Sequence, residues 1–251
     1  MAKSLASLKK RVRSIETTKK ITNTMKLVSM SKYQHYSRQL KDIEAIYQGL
    51  IKLGDVAFDG KKDTLALCIV PDLGLISIYT KQVIQKLHDE NIKDVIWIGS
   101  QGYESISNDG SFHILNPYTT SETLSVDAIT DLIDEVSSDF NLVYIKATIT
   151  NHSSLTMSLE PLTYILNFDE KKDYEPNYET VNRAYLSRLT YYVSLFTKVN
   201  NKVMEHKLRQ INMDKASDSA QDMLDHLNHE YHKLRQEKIT QEINEIVSGR
   251  M

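Results

Sequence analysis

Three groups of side chains in this 251-residue sequence have the types and spacing that chemistry asks for. Gly99-Ser100-Gln101-Gly102 follows an apolar run, as a phosphate loop would. It lacks the later Gly-Lys-Ser/Thr of a P-loop and is not GxGxxG, so it reads as a tight strand-to-helix turn. His226, His229 and His232 recur at every third position beside Asp222 and Asp225. Two such imidazoles can share a metal, but exposed polar positions on a long helix give the same pattern. Cys68, the single cysteine, stands inside an apolar run with no histidine or lysine close to it in sequence, the setting of an inert core thiol. No Ser/His/Asp signature, carboxylate pair or nucleophile elbow stands out. The expectation is a chain with no catalytic residue, no metal and no cofactor of its own.

The strongest signal is the placement of charge. Residues 1–41 hold eleven lysines and arginines against one acid, Glu16, a net +10. Residues 42–201 sum to -11 and residues 202–251 to -1, so the total of -2 conceals a basic arm on an acidic body. Such an arm asks for an acidic partner: nucleic acid, an anionic membrane or the carboxylates of another protein. One cysteine cannot form an internal disulfide, which fits a reducing compartment. No apolar run approaches the ~20 residues of a membrane span, and a charged periodic segment stands where a secretory signal would begin.

The elements that must position these residues follow from glycine and proline. The four prolines (Pro71, Pro117, Pro161, Pro176) and seven of the eight glycines lie between residues 49 and 176, leaving 1–48 and 177–248 without a breaker. Both segments read as helices, of roughly 70 and 105 Å at 1.5 Å per residue. Helices that long need another helix along their length. Leu5, Leu8, Val12 and Ile15 step by 3, 4, 3, and Leu40, Ile43, Tyr47 and Leu50 resume the rhythm. Tyr185, Leu189, Tyr192, Phe196, Val199 and Val203 do the same, and after a phase slip Met213, Ala216, Ala220, Met223 and Leu227 restart it. Heptads broken by slips predict a locally unwound coiled coil, formed as an antiparallel hairpin of the chain's own ends. With Tyr47 and Gln48 opposite roughly Thr180, Met1 falls opposite about residue 227 and leaves 228–248 unpaired.

The middle reads as α/β: strands at 64–70, 94–98, 142–147 and 161–166, with helices at 78–87 and 124–136. Alternation of this kind favours a small Rossmann-like, mostly parallel sheet. Residues 169–178 read as a polar linker into the second long helix. The expected organisation is α/β, a long antiparallel coiled coil of the N- and C-terminal helices with a central Rossmann-like domain: residues 1–58, 59–175 and 176–251.

The two arms also resemble a family, the gamma subunit of F-type rotary ATPases. Its N-terminal motif, Asn-Thr-x-Lys-Ile-Thr-x-Ala-Met-x-Met-Val-Ala-x-Ser-Lys, is matched by Thr17-Thr18-Lys19-Lys20-Ile21-Thr22-Asn23-Thr24-Met25-Lys26-Leu27-Val28-Ser29-Met30-Ser31-Lys32. At the other end Glu205-His206, Arg209, Met213, Ala216, Asp218, Ala220, Tyr231 and Arg235-Gln236 stand at family spacing. The run from Ile239-Thr240-Gln241-Glu242-Ile243 to Gly249 follows in register. The centre is looser: of the family's Ser-Asp-Arg-Gly-Leu-Cys-Gly-x-Tyr-Asn loop, only Asp72, Gly74, Leu75 and Tyr79 are kept in 71–80.

The resemblance implies a non-catalytic rotor shaft inside a hexameric ring of catalytic and non-catalytic nucleotide-binding subunits. It also implies a further stalk subunit, a membrane rotor ring, and a peripheral place on the cytoplasmic face of a bacterial cell membrane. It places Lys20, Met25 and Lys26 near acidic loops of the catalytic subunits, and Arg209, Arg235, Gln236, Thr240 and Glu242 among the contacts that grip the shaft. Two alternatives stay open at this stage. One is a shaft of a paralogous motor driving something other than a proton-translocating ring, prompted by the altered loop at 71–80. The other is a coiled-coil nucleic-acid-binding protein using the +10 arm on phosphates.

Overall fold

The structure, a computed structural model, describes residues 4–150, 154–169 and 173–249. The helix α1 (Leu5–Ile51) is followed by β1 (Gly54–Val56), β2 (Thr64–Ile69), α2 (Ser77–Asp89), β3 (Asp94–Ile98), α3 (Tyr103–Asn108) and β4 (His113–Ile114). Then come α4 (Val126–Val136), β5 (Asn141–Ile149), β6 (Leu155–Pro161), β7 (Tyr164–Leu166) and the 71-residue α5 (Tyr178–Ser248). Two compact units result: Ser31–Leu208, and a second unit in which the α1 turns before Ser31 pair with the α5 turns from Arg209 on.

In the Ser31–Leu208 unit the sheet runs β4-β3-β2-β5-β6, parallel except for the antiparallel edge strand β6. Strand β2 is buried on both faces, which is why TLALCI reads as a continuous apolar run rather than an alternating one. One face packs Cys68, Val95 and Trp97 against Tyr79, Val83 and Leu87 of α2. The other packs Leu67, Ile96 and Tyr144 against Ile129 and Ile133 of α4, Leu189, Val193 and Phe196 of α5, and Tyr47 of α1. Cys68 is buried as expected, and burial pushes its thiol up, away from the reactive thiolate.

Aromatic rings fasten the long helices to this sheet. The Tyr47 and Tyr144 hydroxyls lie 2.6 Å apart in the core, and the Phe196 ring stacks on Tyr47 at 5.1 Å. Burial raises both phenol pKa values, and it pushes Tyr185 up to about 12. The Tyr185 hydroxyl donates to the Leu50 carbonyl at 3.2 Å.

The strand expected at 161–166 is instead the junction of two. Strand β6 ends at Pro161, which has no N–H to continue a ladder. The chain then leaves the sheet, and β7 pairs with β1 as a separate antiparallel ribbon. Strand β6 escapes a sequence reading because, on the edge, most of its side chains are only half-buried. The Gly99–Gly102 segment is the turn from β3 into α3. The linker at 169–178 lies partly outside the described residues.

Candidate functional site: the paired helical segments

All eight residues singled out as partner contacts belong to the two-helix unit. Its seam is built by one heptad series on each segment. On α1 the positions Leu5, Leu8, Val12, Ile15, Lys19, Thr22, Lys26 and Ser29 are buried or half-buried at steps of 3 and 4. On α5 the matching series is Met213, Ser217, Ala220, Leu224, Leu227, Tyr231 and Leu234. The seam is apolar toward the chain ends and polar in its middle. There Lys19 donates to the Gln221 side-chain oxygen, the Ser217 hydroxyl reaches the Asn23 side-chain oxygen at 3.1 Å, and Lys26 pairs with Asp214.

Of the expected α5 series, Met213, Ala220 and Leu227 lie in the seam, while the two positions between them are each displaced by one residue. Ser217 and Leu224 face the seam, while Ala216 is half-buried and Met223 points outward at 55 % exposure. Met223 and Leu224 are both apolar, so hydropathy does not choose between them; Ser217, seven residues before Leu224 and bonded across the seam to Asn23, does.

The hairpin register differs too. Lys19 with Gln221, Asn23 with Ser217, and Lys26 with Asp214 fix the alignment within this unit. In the other unit Tyr47 stacks on Phe196, not on a residue near Thr180. The first turns of α5 are consumed beside β7, where the Tyr178 hydroxyl donates to the Leu166 carbonyl and Asn182 accepts from the Leu166 N–H at 2.9 Å. Met1 lies outside the described residues, but Ser4, Leu5 and Ala6 share a cleft with Leu234, Glu237, Lys238 and Gln241. By the alignment of this unit Ser4 falls opposite residue 236, so among the described residues 237–248 extends beyond a partner, about 18 Å of helix rather than 30. A segment of about three turns is marginal alone in water. We expect 237–248 to exchange amide hydrogens within seconds in the isolated chain, and 228–236 to be slower by at least an order of magnitude. Equal exchange across 228–248 would contradict this register.

Lys20 is exposed, Met25 half-buried, and Lys26 is held by Asp214, whose hydrogen bond raises the lysine pKa. Arg209 is buried. Arg235 and Gln236 are exposed; the Thr240 hydroxyl donates to the Gln236 carbonyl at 2.9 Å, and Glu242 stands 3.7 Å from Lys238. The eight therefore form no single cluster. Lys20, Met25 and Lys26 lie beside the α5 turns near Asp214, some twenty residues, or about 30 Å, from the Arg235 to Glu242 group. Lys9, Lys10, Arg11, Arg13 and Lys32 are exposed as well, so the basic arm faces solvent over most of its length.

Sequence reasoning passed over an apolar band on α1. Ile21, Leu27, Val28 and Met30 are exposed, Leu27 by 64 %, and none belongs to the seam series. Their signal was available: extending the 5, 8, 12, 15 series forward leaves all four out of phase. A second exposed apolar group, Ile239, Ile243, Ile246 and Val247, ends α5. Outward apolar residues on a two-helix unit are surface that a surrounding protein would cover.

A family model described as ATP synthase matches residues 4–251. The chain belongs to that family. Similar curated members include the ATP synthase gamma chain of Fusobacterium nucleatum, 28 % identical over 98 % of this chain and 98 % of that one. The ATP synthase gamma chain of Clostridium botulinum is 29 % identical over 98 % of this chain and 96 % of its own. Among solved structures, a chain of the Euglena gracilis mitochondrial ATP synthase, seen by cryo-EM with OSCP, F1 and c-ring, shares the fold at a TM-score of 0.73. That match is 13 % identical and covers 98 % of this chain and 93 % of the other. Family members therefore align along the whole length, arms and central sheet together.

His226, His229 and His232 are exposed positions on α5, and among the described residues no group of three or more His, Cys, Asp or Glu is placed to hold a metal ion. No helix is long and apolar enough to cross a membrane.

Proposed function

We propose that this chain is the central rotor shaft of an F-type ATP synthase, at the peripheral, cytoplasmic face of a bacterial membrane. Membership of the ATP synthase family over residues 4–251 carries this reading. The paired segments enter a ring of nucleotide-binding subunits. There Ile21, Leu27, Val28 and Met30 meet apolar surface, and Lys20 with its basic neighbours meets carboxylates. Met25, Arg209, Arg235, Gln236, Thr240 and Glu242 complete the contact set. The Ser31–Leu208 unit engages a further stalk subunit and a membrane rotor ring.

A pair of antiparallel helices has no threefold axis, so it cannot present the same surface to three catalytic subunits at once. Each orientation favours a different conformation at each subunit, and rotation becomes linked to nucleotide occupancy as a coupling free energy. Steering of the +10 arm toward acidic loops falls with ionic strength over a Debye length of about 8 Å.

The shaft has no nucleotide site of its own. We therefore expect the isolated chain to hydrolyse no ATP above a mock preparation, and its addition to the separated ring subunits to yield an assembled, ATP-hydrolysing complex. Turnover by the isolated chain would overturn the non-catalytic assignment. Failure to assemble, with duplex DNA bound tightly at ~150 mM salt, would favour the nucleic-acid reading instead.

A further inference from the structure

Open α/β sheets take their ligands outside the carboxyl ends of the strands. In this chain that edge is occupied by its own side chains. Asp72, two residues past Val70, turns its carboxylate toward the loops that follow β3 and β4. One oxygen, Oδ1, accepts the backbone N–H of Ser100 at 2.9 Å and of Ser121 at 3.1 Å. The other, Oδ2, accepts the Ser121 hydroxyl at 2.6 Å and the N–H of Glu122 at 3.0 Å. Four donors from two separate loops converge on one carboxylate, and Ser121 is only 1 % exposed. Convergent backbone N–H groups form an anion nest, and charge-assisted bonds of this type are the strong ones. The Asp72 carbonyl adds two more bonds to the same loop, from the Ser100 hydroxyl at 2.7 Å and the Gln101 amide at 3.2 Å.

The nest is also tied to α5. The Glu122 carboxylate takes the Lys202 ammonium at 3.2 Å, and Lys202 is buried. One turn earlier, Lys198 donates to the Leu124 carbonyl, and burial lowers its pKa. Between them Asn200 accepts the Ala147 N–H at 3.2 Å, at the carboxyl end of β5.

We propose that Asp72 is the chain's own ligand in an anion nest made by Ser100, Ser121 and Glu122, and that this built-in ligand locks the strand-end loops to α5. The edge where a doubly wound sheet would admit a phosphate or carboxylate is thereby turned into a fastening between sheet and shaft helix. The assignment concerns Ser31–Leu208 alone and stands or falls apart from the rotor reading.

The test is chemical rescue in the full chain. Asp72→Ala removes the ligand and keeps the donors, so its thermal midpoint should fall by about 5–10 °C. Formate should restore part of that loss with a saturable dependence, while chloride at equal ionic strength should not, and the unsubstituted chain should respond to the two salts alike. A midpoint unchanged in Asp72→Ala, or recovery that is the same with chloride, would overturn the proposal. Asp72→Asn, nearly isosteric, covers the case in which Asp72→Ala does not fold. Its Ser100, Ser121 and Glu122 amides should exchange at least ~10-fold faster, with the β3 and β5 core amides unchanged. Unchanged exchange at those three amides would refute the nest.

Discussion

Gly99→Ala is expected to be strongly destabilising, by roughly 2–6 kcal/mol. Gly99 has φ +126, a conformation that L side chains rarely adopt, and a Cβ there would stand 2.2 Å from the Val70 carbonyl oxygen. Neither strand end can retreat. Val70 N–H donates to Ile98 at 2.8 Å, and Gly99 N–H donates to Thr119 at 2.9 Å. A side chain forced into sparsely populated backbone space costs ~1–3 kcal/mol, and the overpacking adds ~1–3 kcal/mol. Domains hold only ~5–15 kcal/mol in all. The control is Gly60→Ala, where a Cβ meets nothing within 4 Å and the change should stay within ~0.5 kcal/mol. Thermal unfolding followed by circular dichroism separates the two; matching midpoints would refute the steric argument.

Phe196→Ala is the second large effect. The ring is 1 % exposed, stacks on Tyr47 of α1, meets Tyr144 of β5 edge-on at 6.2 Å, and has the Lys146 ammonium 5.2 Å from its centre. Truncation removes a side chain of α5 that touches both α1 and the central strand β5. The cost should be about 3–5 kcal/mol, read as a lower urea midpoint at unchanged slope. Tyr47→Phe, which only deprives the Tyr144 hydroxyl of its partner, should cost about 1–3 kcal/mol. If Tyr47→Phe proved the costlier of the two, the hydroxyl pair rather than the ring stack would hold the helices to the sheet.

The long helices were legible because a breaker-free segment with apolar heptads has few other solutions. The buried strands β2 and β3 were legible because a fully buried parallel strand is continuously apolar. Where side chains are half-exposed, pattern loses its force. Strand β6 at the sheet edge and the small ribbon of β1 and β7 leave weak periodicity, and the chain's departure at Pro161 depends on pairing partners far apart in sequence. The helix phase at Ser217 and the register through Lys19, Asn23 and Lys26 rest on polar contacts between segments about two hundred residues apart. Hydropathy alone does not encode them. The band Ile21, Leu27, Val28 and Met30 was missed for a related reason: its significance lies in being out of phase with a seam whose middle is polar. Of the eight nominated residues, Lys26 and Arg209 prove to be engaged or buried in their own unit, while Lys20, Arg235 and Gln236 face outward. An outward-facing side chain has no constraint within its own chain, so its contact role depends on the partner's surface.

The central claim is that this chain turns inside a ring. Its most direct test is observation of single complexes assembled from this chain and its ring subunits, the ring fixed to a surface. The probe is attached to a cysteine introduced at exposed Lys61, in a Cys68→Ser background. On addition of ATP the probe should rotate in one direction, pausing at thirds of a turn. ATP hydrolysis by the same complexes with the probe stationary, or diffusing without direction, would contradict the rotor assignment.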